Sequence, residues 1–430
     1  MKKGLRIIPK KNNLLIQPGG VLQGRLVIPG DKSITHRALI FGALYQAKQK
    51  VILHNWLQSL DCSATLMALQ AMGVMFEELN TSSLQISSVG LHGLEAPTKI
   101  LDVGNSGTTI RLLTGVLAAQ KFSSKIGGDA SICCRPMRRI IIPLTQMGAK
   151  ITATNNEYAP LSISGGQTLR AINYDMPIAS AQVKSAILLA SLYATSMSFV
   201  NSAKVCRNHT ELMLQHFCAD YNIPADISTA AFFMVGASIA AGSDIVLENI
   251  GINPTRTAVI EILKRMGANI TLSNVRLLHG EWRADIFVQA AKRLTAITVP
   301  LELVANAIDE LPIICLAAAC ASGTTVIRGA AELRYKESDR IAMLVQNFQE
   351  LGVVVSAFSD GLAITGGVIS GGRVTSGGDH RIAMTFAMAG LVAQGEIIIQ
   401  NTQNIATSFP SFVDVALQAG MLISEESIYA

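Results

Sequence analysis

The stretch Pro29-Gly30-Asp31-Lys32-Ser33-Ile34-Thr35-His36-Arg37 joins two segments of different pattern. Residues 22–28 mix apolar and polar side chains in near alternation, which predicts a strand, and residues 38–45 form an apolar run that predicts a helix. Pro-Gly interrupts regular structure, and Asp31 or Ser33 has a side chain that can cap the start of a helix. The stretch therefore predicts a sharp turn from a strand into a helix.

A turn of this kind is a favourable place for an anion. The first backbone N–H groups of a helix have no partner within the helix, and the positive end of the helix dipole points in the same direction. Lys32 and Arg37 add two cations there, and Ser33 adds a hydroxyl. Phosphate is the anion that such a turn binds most often. A capped helix with ordinary surface charges explains the stretch equally well when it is taken alone.

The composition points to a large α/β protein that acts on small molecules. The chain has 430 residues, of which half are hydrophobic and 15% are charged, and this predicts extensive buried cores in two or three domains. The net charge of +5 is small for this length, and the cations are scattered beside glycines, serines and turns. We therefore expect small acidic substrates and no nucleic-acid partner.

The cysteines and the terminal residues predict a cytoplasmic protein. There are seven cysteines and no C-x-x-C pair, which favours a reducing compartment with neither a disulfide framework nor a zinc site. Residues 1–17 are basic but have no long apolar core, so we do not expect a signal peptide. The longest apolar run, residues 313–321, is too short to cross a bilayer, and we expect no membrane partner.

One pattern recurs along the chain. A predicted helix ends in a glycine and passes directly into a predicted strand, and the glycines of the five copies are Gly73, Gly148, Gly267, Gly352 and Gly420. A glycine suits the left-handed position that ends a helix. The copies are roughly 70–85 residues apart, except for one gap of roughly 120. We interpret this as six α/β units, of which the one near residues 210–224 is truncated; the alternative is a chance similarity of helix ends.

Further turns carry polar and charged groups at predicted helix starts. In the first half these are residues 104–111, 127–139 and 179–185. A tight turn is the structural alternative for the first, and a solvated basic patch is the alternative for Arg138 and Arg139 of the second. In the second half, residues 309–312 place two acids before an apolar helix, and residues 334–340 and 378–384 combine acids with cations at predicted helix starts. Caps and surface charges explain one such site, but three of them favour general acid and base groups among anion-binding cations.

With these segments in place, the chain resembles the enolpyruvyl transferases between about residue 16 and residue 421. The resemblance rests on the motifs PGDKSITHR, GNSGTT, RPM, SAQVKSA, IDELP, LRYKESDR, GDHRIAM and ATSFP, in that order. It implies an α/β (α+β) fold of two similar domains, each made of three βαβαββ units, in an arrangement described as an inside-out α/β barrel. The domains implied are 29–224, with one unit shortened, and 1–28 together with 225–430.

The motifs are similar to those of the branch that acts on 3-phosphoshikimate. The resemblance implies transfer of the enolpyruvyl (1-carboxyvinyl) group of phosphoenolpyruvate to the 5-hydroxyl of 3-phosphoshikimate, on the route to chorismate and the aromatic amino acids. It implies no cofactor and no metal, and we expect a monomer. Two alternatives stay open: a catalytically impaired homologue that still binds anions, suggested by the shortened unit, and, less favoured, the branch that acts on UDP-N-acetylglucosamine.

The resemblance also implies residue roles. Asp309 is implied as the base at the 5-hydroxyl, Glu337 as the acid at the methylene carbon, Lys32 as a partner in proton transfer, and His380 as a supporting residue. The implied contacts to 3-phosphoshikimate are Lys32, Ser33, Arg37, Ser180, Gln182, Arg207, Asp309 and Lys336. The implied contacts to phosphoenolpyruvate are Lys32, Asn105, Gly107, Arg135, Gln182, Arg340 and Arg381. The stretch Ala406-Thr407-Ser408 lacks the lysine that many relatives have before Phe-Pro, so the resemblance implies that one cation of the family pattern is missing.

Overall fold

A computed structural model describes residues 12–427 of the chain. The expectation of a basic N-terminal segment without a signal peptide falls largely on residues 1–11, outside the described part. The first two elements are strands β1 (Asn12–Gly20) and β2 (Gln23–Leu26). No helix within residues 12–427 combines the length and the apolar character needed to cross a membrane.

The elements that follow, as far as residue 224, alternate between helices and short strands. They are α1 (Lys32–Leu44), β3 (Lys50–His54), α2 (Leu60–Gln70), β4 (Met75–Glu78), β5 (Ser83–Ser87), β6 (Leu101–Asp102), α3 (Gly107–Leu117), β7 (Ser124–Gly127), α4 (Ala130–Cys133), α5 (Arg138–Gln146), β8 (Lys150–Thr154), β9 (Tyr158–Ser164), β10 (Asn173–Met176), α6 (Ala181–Ser191), β11 (Phe199–Ser202), α7 (His209–His216) and β12 (Asp220–Asn222).

The remaining elements repeat the same alternation. They are α8 (Ile227–Ile239), β13 (Asp244–Gly251), α9 (Ala258–Arg265), β14 (Asn269–Leu278), β15 (Glu281–Gln289), α10 (Leu301–Val304), α11 (Leu311–Ala319), β16 (Thr324–Ile327), a 3-10 turn (Ala331–Tyr335), α12 (Arg340–Glu350), β17 (Val354–Phe358), β18 (Gly361–Thr365), β19 (Gly372–Thr375), α13 (His380–Ala389), β20 (Ile397–Gln400), a second 3-10 turn (Thr402–Thr407), α14 (Phe412–Ala419) and β21 (Met421–Ser427).

The strands form six separate sheets within the described residues, and four of these share one plan. The orders β12-β3-β5-β4, β6-β7-β9-β8, β2-β13-β15-β14 and β19-β20-β1-β21 each contain one parallel pair followed by two antiparallel pairs. The sheet β16-β18-β17 contains only the two antiparallel pairs. Isolated parallel bridges join Thr295 to Ser322 and Thr298 to Val326 beside it. None of the sheets closes into a barrel, so the α/β fold consists of repeated open sheets and the helices that pack on them.

The sixth sheet contains only the parallel pair β10-β11. The chain after it forms α7 and then β12, which joins the edge of the sheet containing β3. No antiparallel hairpin follows in residues 208–225, which is the shortening that the spacing of the repeats predicts.

The five repeat glycines all have the left-handed backbone that the pattern predicts. Their φ angles are +88° at Gly73, +110° at Gly148, +94° at Gly267, +78° at Gly352 and +105° at Gly420. A side chain at such a φ is strained, whereas glycine adopts it freely and lets the helix end in a sharp turn into the next strand. The prediction of a common helix end is confirmed at each of them.

The buried apolar residues form two clusters, one in each half of the molecule. One cluster contains residues between Ile34 and Ile223; we term the part around it the first lobe. The other contains residues 14–28 and 225–423, and the part around it is the second lobe. Each lobe surrounds helices that are buried on nearly all sides, α1 in the first and α8 and α11 in the second. The domain boundaries at 28/29 and 224/225 stay a prediction.

The chain passes between the lobes twice, and the two crossings are bonded to each other. Asp31 N donates to the carbonyl of Pro224 over 2.8 Å, and Asp226 N donates to the carbonyl of Pro29 over 3.0 Å. Directly after these crossings α1 and α8 begin. The helix predicted over 38–45 in fact begins at Lys32, because Asp31 caps it by accepting a hydrogen bond from Ile34 N at 2.8 Å.

Substitution of Gly115 by alanine should destabilise the first lobe. Gly115 lies where α3 crosses α6, and a Cβ atom there would come within 2.3 Å of the carbonyl oxygen of Ala186. Because that atom belongs to a helix backbone, the two helices would have to separate. We expect Gly115→Ala to lower the free energy of unfolding by about 1–3 kcal/mol in urea titrations, despite the better helix propensity of alanine.

Gly367→Ala is the matched control, since no atom lies within 4 Å of the place that its Cβ would occupy and its φ is outside the left-handed region. We expect its free energy of unfolding, measured by urea titration, to stay within about 0.5 kcal/mol of that of the original protein. Equal midpoints for both variants would contradict the close helix contact.

Candidate active site

A cavity of about 420 Å³ lies between the two lobes, where several helices begin. Lys32 at the start of α1, Gly107 at the start of α3 and Gln182 in the first turn of α6 line it from the first lobe. Arg340 at the start of α12 and His380 at the start of α13 line it from the second lobe. The helix starts add positive dipole ends and free N–H groups to the cationic side chains, which is an arrangement suited to anions.

Lys32 is held at the start of α1 by carboxylates on two sides. Its Nζ donates to Asp61 Oδ2 at 3.0 Å, and its backbone N donates to Asp226 Oδ2 at 3.1 Å. Burial alone would lower the pKa of Lys32, but the negative charges of Asp61 and Glu337 outweigh burial and raise it. Lys32 is therefore an ammonium at neutral pH. The sequence reasoning did not identify Asp61, although its place in the first turn of α2 after a serine cap was a usable signal.

Two arginines, Arg111 and Arg135, lie close to Gly107 at the start of α3. Arg135 donates to the side-chain carbonyl of Asn105, which is fixed in turn by a 3.0 Å bond from its Nδ2 to Asp129 Oδ2. A Cβ atom on Gly107 would lie 2.9 Å from Arg111 NH1 and 3.2 Å from Arg135 NH1. The absence of a side chain at this position lets both guanidinium groups approach the start of the helix.

The start of α6 is tied to α3 through Gln182. Its Oε1 accepts a 2.6 Å bond from Arg111 NH1, and its Nε2 donates to Thr108 Oγ1 at 3.0 Å. Burial lowers the pKa of Arg111 to about 10, with the nearby positive charge of Arg135 acting in the same direction, so the group stays charged at neutral pH. Ser180 caps α6, and both it and Gln182 line the cavity.

Asp309 is surrounded by cations from both lobes. Arg207 of the first lobe donates to its Oδ2 at 2.5 Å, while Lys336 Nζ and Arg340 NH1 lie 3.5 Å from its Oδ1. Burial would raise the pKa of Asp309, but Lys336, Arg207 and further cations hold it well below its ordinary value. The carboxylate is therefore ionised at neutral pH, and it links the two lobes across the cavity.

Glu337 lies on the other side of the same guanidinium group. Its Oε2 accepts a 2.6 Å bond from Arg340 NH2, while Arg340 Nε donates to the buried Asp379 at 2.7 Å. Burial would raise the pKa of Glu337, but Arg340 and the other nearby cations hold it well below its ordinary value. Arg340 therefore contacts three carboxylates, including Asp309, and is only 1% exposed.

His380 is neutral in this cationic environment. Burial lowers its pKa well below 6.5, and the charges of Lys32 and Arg381 act in the same direction. Its Nε2 is buried and has no hydrogen-bond partner among the described residues, while its Nδ1 lies 3.4 Å from Thr407 Oγ1. Arg381 donates from NH1 to the backbone carbonyl of Asp309 at 2.9 Å.

The structure gathers nearly all of the predicted site residues on this one cavity. Those that line it are Lys32, Ser33, Asn105, Gly107, Arg135, Ser180, Gln182, Arg207, Asp309, Lys336, Glu337, Arg340, His380 and Arg381. Arg37 does not line it. Its buried guanidinium donates to Thr210 Oγ1, Ser185 Oγ and the carbonyl of Ser33, so it supports the cavity wall from behind. Within the described residues, no group of three or more His, Cys, Asp or Glu side chains is arranged to hold a metal ion.

Known proteins match this chain over nearly its whole length. Residues 16–220 and 218–416 match the profile of a family described as EPSP synthase (3-phosphoshikimate 1-carboxyvinyltransferase). The 3-phosphoshikimate 1-carboxyvinyltransferase of Alkalilimnicola ehrlichii is 48% identical over 430 residues, which cover 95% of this chain and 96% of that protein. Its counterpart in Acidithiobacillus ferrooxidans is 50% identical over 433 residues, with 96% and 99% covered. The solved EPSP synthase of Acinetobacter baumannii superimposes with a TM-score of 0.87 at 45% identity, over 96% of this chain and all of that one.

The buried histidines should make stability fall as the solution becomes acidic. His380 and His36 are buried with pKa values well below 6.5, so the folded chain binds fewer protons than the unfolded chain once the pH drops below that value. Each should remove roughly 1.4 kcal/mol per pH unit between pH 6.5 and pH 5. In urea titrations, His380→Gln should therefore reduce the loss of unfolding free energy between pH 6.5 and pH 5 by roughly 1.4 kcal/mol per pH unit.

His92 provides the control, since its side chain is exposed. His92→Gln should leave the pH dependence of the midpoint unchanged. A midpoint that depends equally on pH in the original protein and in His380→Gln would show that His380 titrates normally in the folded state.

Proposed function

The chain belongs to the EPSP synthase family, and we propose that it transfers the enolpyruvyl group of phosphoenolpyruvate to the 5-hydroxyl of 3-phosphoshikimate, with release of phosphate. The observation that carries the proposal is the pair of carboxylates on one guanidinium. Arg340 lies 3.5 Å from Asp309 through NH1 and 2.6 Å from Glu337 through NH2. A base and an acid are thus held on two sides of a single buried cation, within a cavity that accepts anions.

Charge accounts for the choice of substrates. Phosphoenolpyruvate carries a carboxylate and a phosphate, and we assign these to Lys32, Arg135, Arg340 and Arg381, with the turn at Asn105 and Gly107 beside them. We assign 3-phosphoshikimate to the side of Ser33, Ser180, Gln182, Arg207 and Lys336. One ion pair at 4 Å and an effective dielectric constant near 20 is worth about 4 kcal/mol before desolvation. Several such pairs across the cavity favour closure of the lobes around both substrates.

Asp309 acts as the base at the 5-hydroxyl. It is ionised before substrate arrives, but Arg207 and Lys336 hold its oxygens and weaken its basicity. When the anionic groups of the substrate draw these two cations towards themselves, the carboxylate becomes free to accept the hydroxyl proton. The 5-oxygen then attacks the central carbon of phosphoenolpyruvate.

Glu337 acts as the acid at the methylene carbon. Its pKa is far too low for this role while the positive charges of Arg340 and Lys32 act on it. The negative charges of bound phosphoenolpyruvate neutralise these cations and raise the pKa of Glu337, so that it can deliver a proton as the new C–O bond forms. The Glu337 carboxylate left by this step takes a proton back from the methyl group, the C–O bond to phosphate breaks, and the tetrahedral intermediate becomes the enolpyruvyl product. Lys32 stabilises the departing phosphate.

One chain contributes every group assigned above, so we propose that the enzyme works as a monomer, and that it does so in the cytoplasm.

The alternative of an impaired homologue rests on the shortened unit. That unit nevertheless contains Ser180, Gln182 and Arg207, and each of them lines the cavity. We therefore favour an active enzyme.

An assay of phosphate release with both substrates tests the proposal. Asp309→Asn and Glu337→Gln each remove an ionisable group while keeping a similar shape, and we expect each to lower kcat by about 10²–10⁴. Glu350→Gln alters an exposed glutamate at the far end of α12 and should leave the rate unchanged. If the original protein releases no phosphate above an Asp309→Asn background, the assignment is rejected.

A further inference from the structure

A single arginine between the lobes contacts the starts of both central helices. Arg256 is 2% exposed and donates from NH1 to Asp31 Oδ2 at 2.9 Å. From NH2 it donates to Asp226 Oδ1 at 3.2 Å and to Ser228 Oγ at 2.7 Å. Resting on the function proposed above, we propose that Arg256 is a positioning residue: it sets the angle between the lobes and so brings Lys32 and Asp309 to the same substrate.

The first arm of this network leads to Lys32. Asp31 caps α1 through Ile34 N and accepts from Arg256 with its other oxygen. Asp226, which caps α8, also accepts the backbone N–H of Lys32 at 3.1 Å. The starts of α1 and α8 are therefore bonded to each other, and Arg256 compensates the two carboxylates that face one another there.

The second arm leads to Asp309. Ser228 accepts from Arg256 and donates its own hydroxyl to Glu310 Oε1. Glu310 is fully buried at the start of α11 and directly follows Asp309 in the chain. Arg256 is thus connected through Asp226 to the backbone of Lys32, the proposed ammonium group. Through Ser228 and Glu310 it is connected to the backbone next to Asp309, the proposed base.

A histidine extends the network across the lobe boundary. Arg256 NH1 lies 3.2 Å from His209 Nε2, which must accept, so His209 Nδ1 carries the proton and donates to Glu281 Oε1 at 2.6 Å. His209 belongs to the first lobe and Glu281 to the second, and both are at most 2% exposed. Asn253 donates to Glu281 at 3.0 Å.

Arg256 lines the cavity and its buried Nε has no hydrogen-bond partner among the described residues, but its charge and its committed terminal nitrogens support a positioning role. Burial alone would lower the pKa of Arg256, but Asp31 and Asp226 raise it above its ordinary value, so the guanidinium stays charged. Its terminal nitrogens are already committed to Asp31, His209, Asp226 and Ser228. Removing one member of such a network leaves buried carboxylates without compensation. Separation of the lobes would admit water to them, so loss of Arg256 should favour an open arrangement.

The experiment compares Arg256→Gln and Arg256→Lys with the original protein. We expect Arg256→Gln to lower kcat about tenfold to a hundredfold at saturating substrates, because the acid and base groups no longer meet the substrate together. Small-angle X-ray scattering should show a larger radius of gyration for the unliganded variant and a smaller decrease on adding 3-phosphoshikimate. Arg256→Lys restores the charge without the planar fork and should give intermediate values for both quantities.

Two further variants keep the test decisive. Arg265→Gln makes the same change at a half-exposed arginine of α9 and should match the original protein in both measurements. Ser228→Ala removes the hydroxyl that joins Arg256 to Glu310 and leaves the bonds of Arg256 to Asp31 and Asp226 in place. Should Arg256→Gln fail to fold, a severalfold fall in kcat for Ser228→Ala, measured well below its melting temperature, supports the proposal.

The outcomes separate this inference from the proposed function. An original protein that releases no phosphate rejects the function, and the scattering comparison then decides the inference alone. Equal radii of gyration for the original protein and Arg256→Gln overturn the positioning role. An unchanged kcat in folded Arg256→Gln also overturns the positioning role. If Arg256→Gln does not fold, an unchanged kcat in Ser228→Ala overturns it.

Discussion

A buried guanidinium is costly unless carboxylates face it, and this requirement organises the cavity. Arg340 is 1% exposed and meets Glu337, Asp379 and Asp309. Removing one partner from such a buried pair typically costs about 3–5 kcal/mol, because the remaining charge has no compensation. Asp309 and Glu337, the proposed base and acid, are therefore structural partners of the cations in the unliganded protein. Under the proposed function, anionic substrates would take over that partnership and free the two carboxylates for proton transfer.

The repeated unit explains why so many cations can be collected in one cavity. Each complete unit places a helix after a strand, and the starts of α1, α3 and α6 from the first lobe face those of α12 and α13 from the second. Free N–H groups and dipole ends at these starts stabilise anionic ligands without any additional charge. The repeat glycines end α2, α5, α9, α12 and α14, so of α1, α3, α6, α12 and α13 they end α12 alone.

Local features of the site could be predicted from the sequence, whereas long-range pairings could not. The glycine φ angles, the cap at Asp31 and the acids of the second half all follow from neighbouring residues. Arg256 was missed because its partner Asp31 lies 225 residues away in the chain and no local pattern indicates such a contact. The serine cap before Asp61 marks a helix start, but nothing local indicates its pairing with Lys32, which lies 29 residues away. Arg37 belongs to the predicted turn, but its helical position directs it towards α6 and α7, behind the cavity wall.

The shortened unit shows which parts of the fold the cavity depends on. Without an antiparallel hairpin, the sheet of β10 and β11 covers less surface, and Phe199 is 70% exposed there. The start of α6 is nevertheless fixed by other contacts, since Gly115 of α3 packs against its backbone and Gln182 bonds Arg111 and Thr108. Its position is therefore set by helix packing within the first lobe and not by the sheet of its own unit. For that reason Ser180 and Gln182 still line the cavity although this sheet has no antiparallel pair.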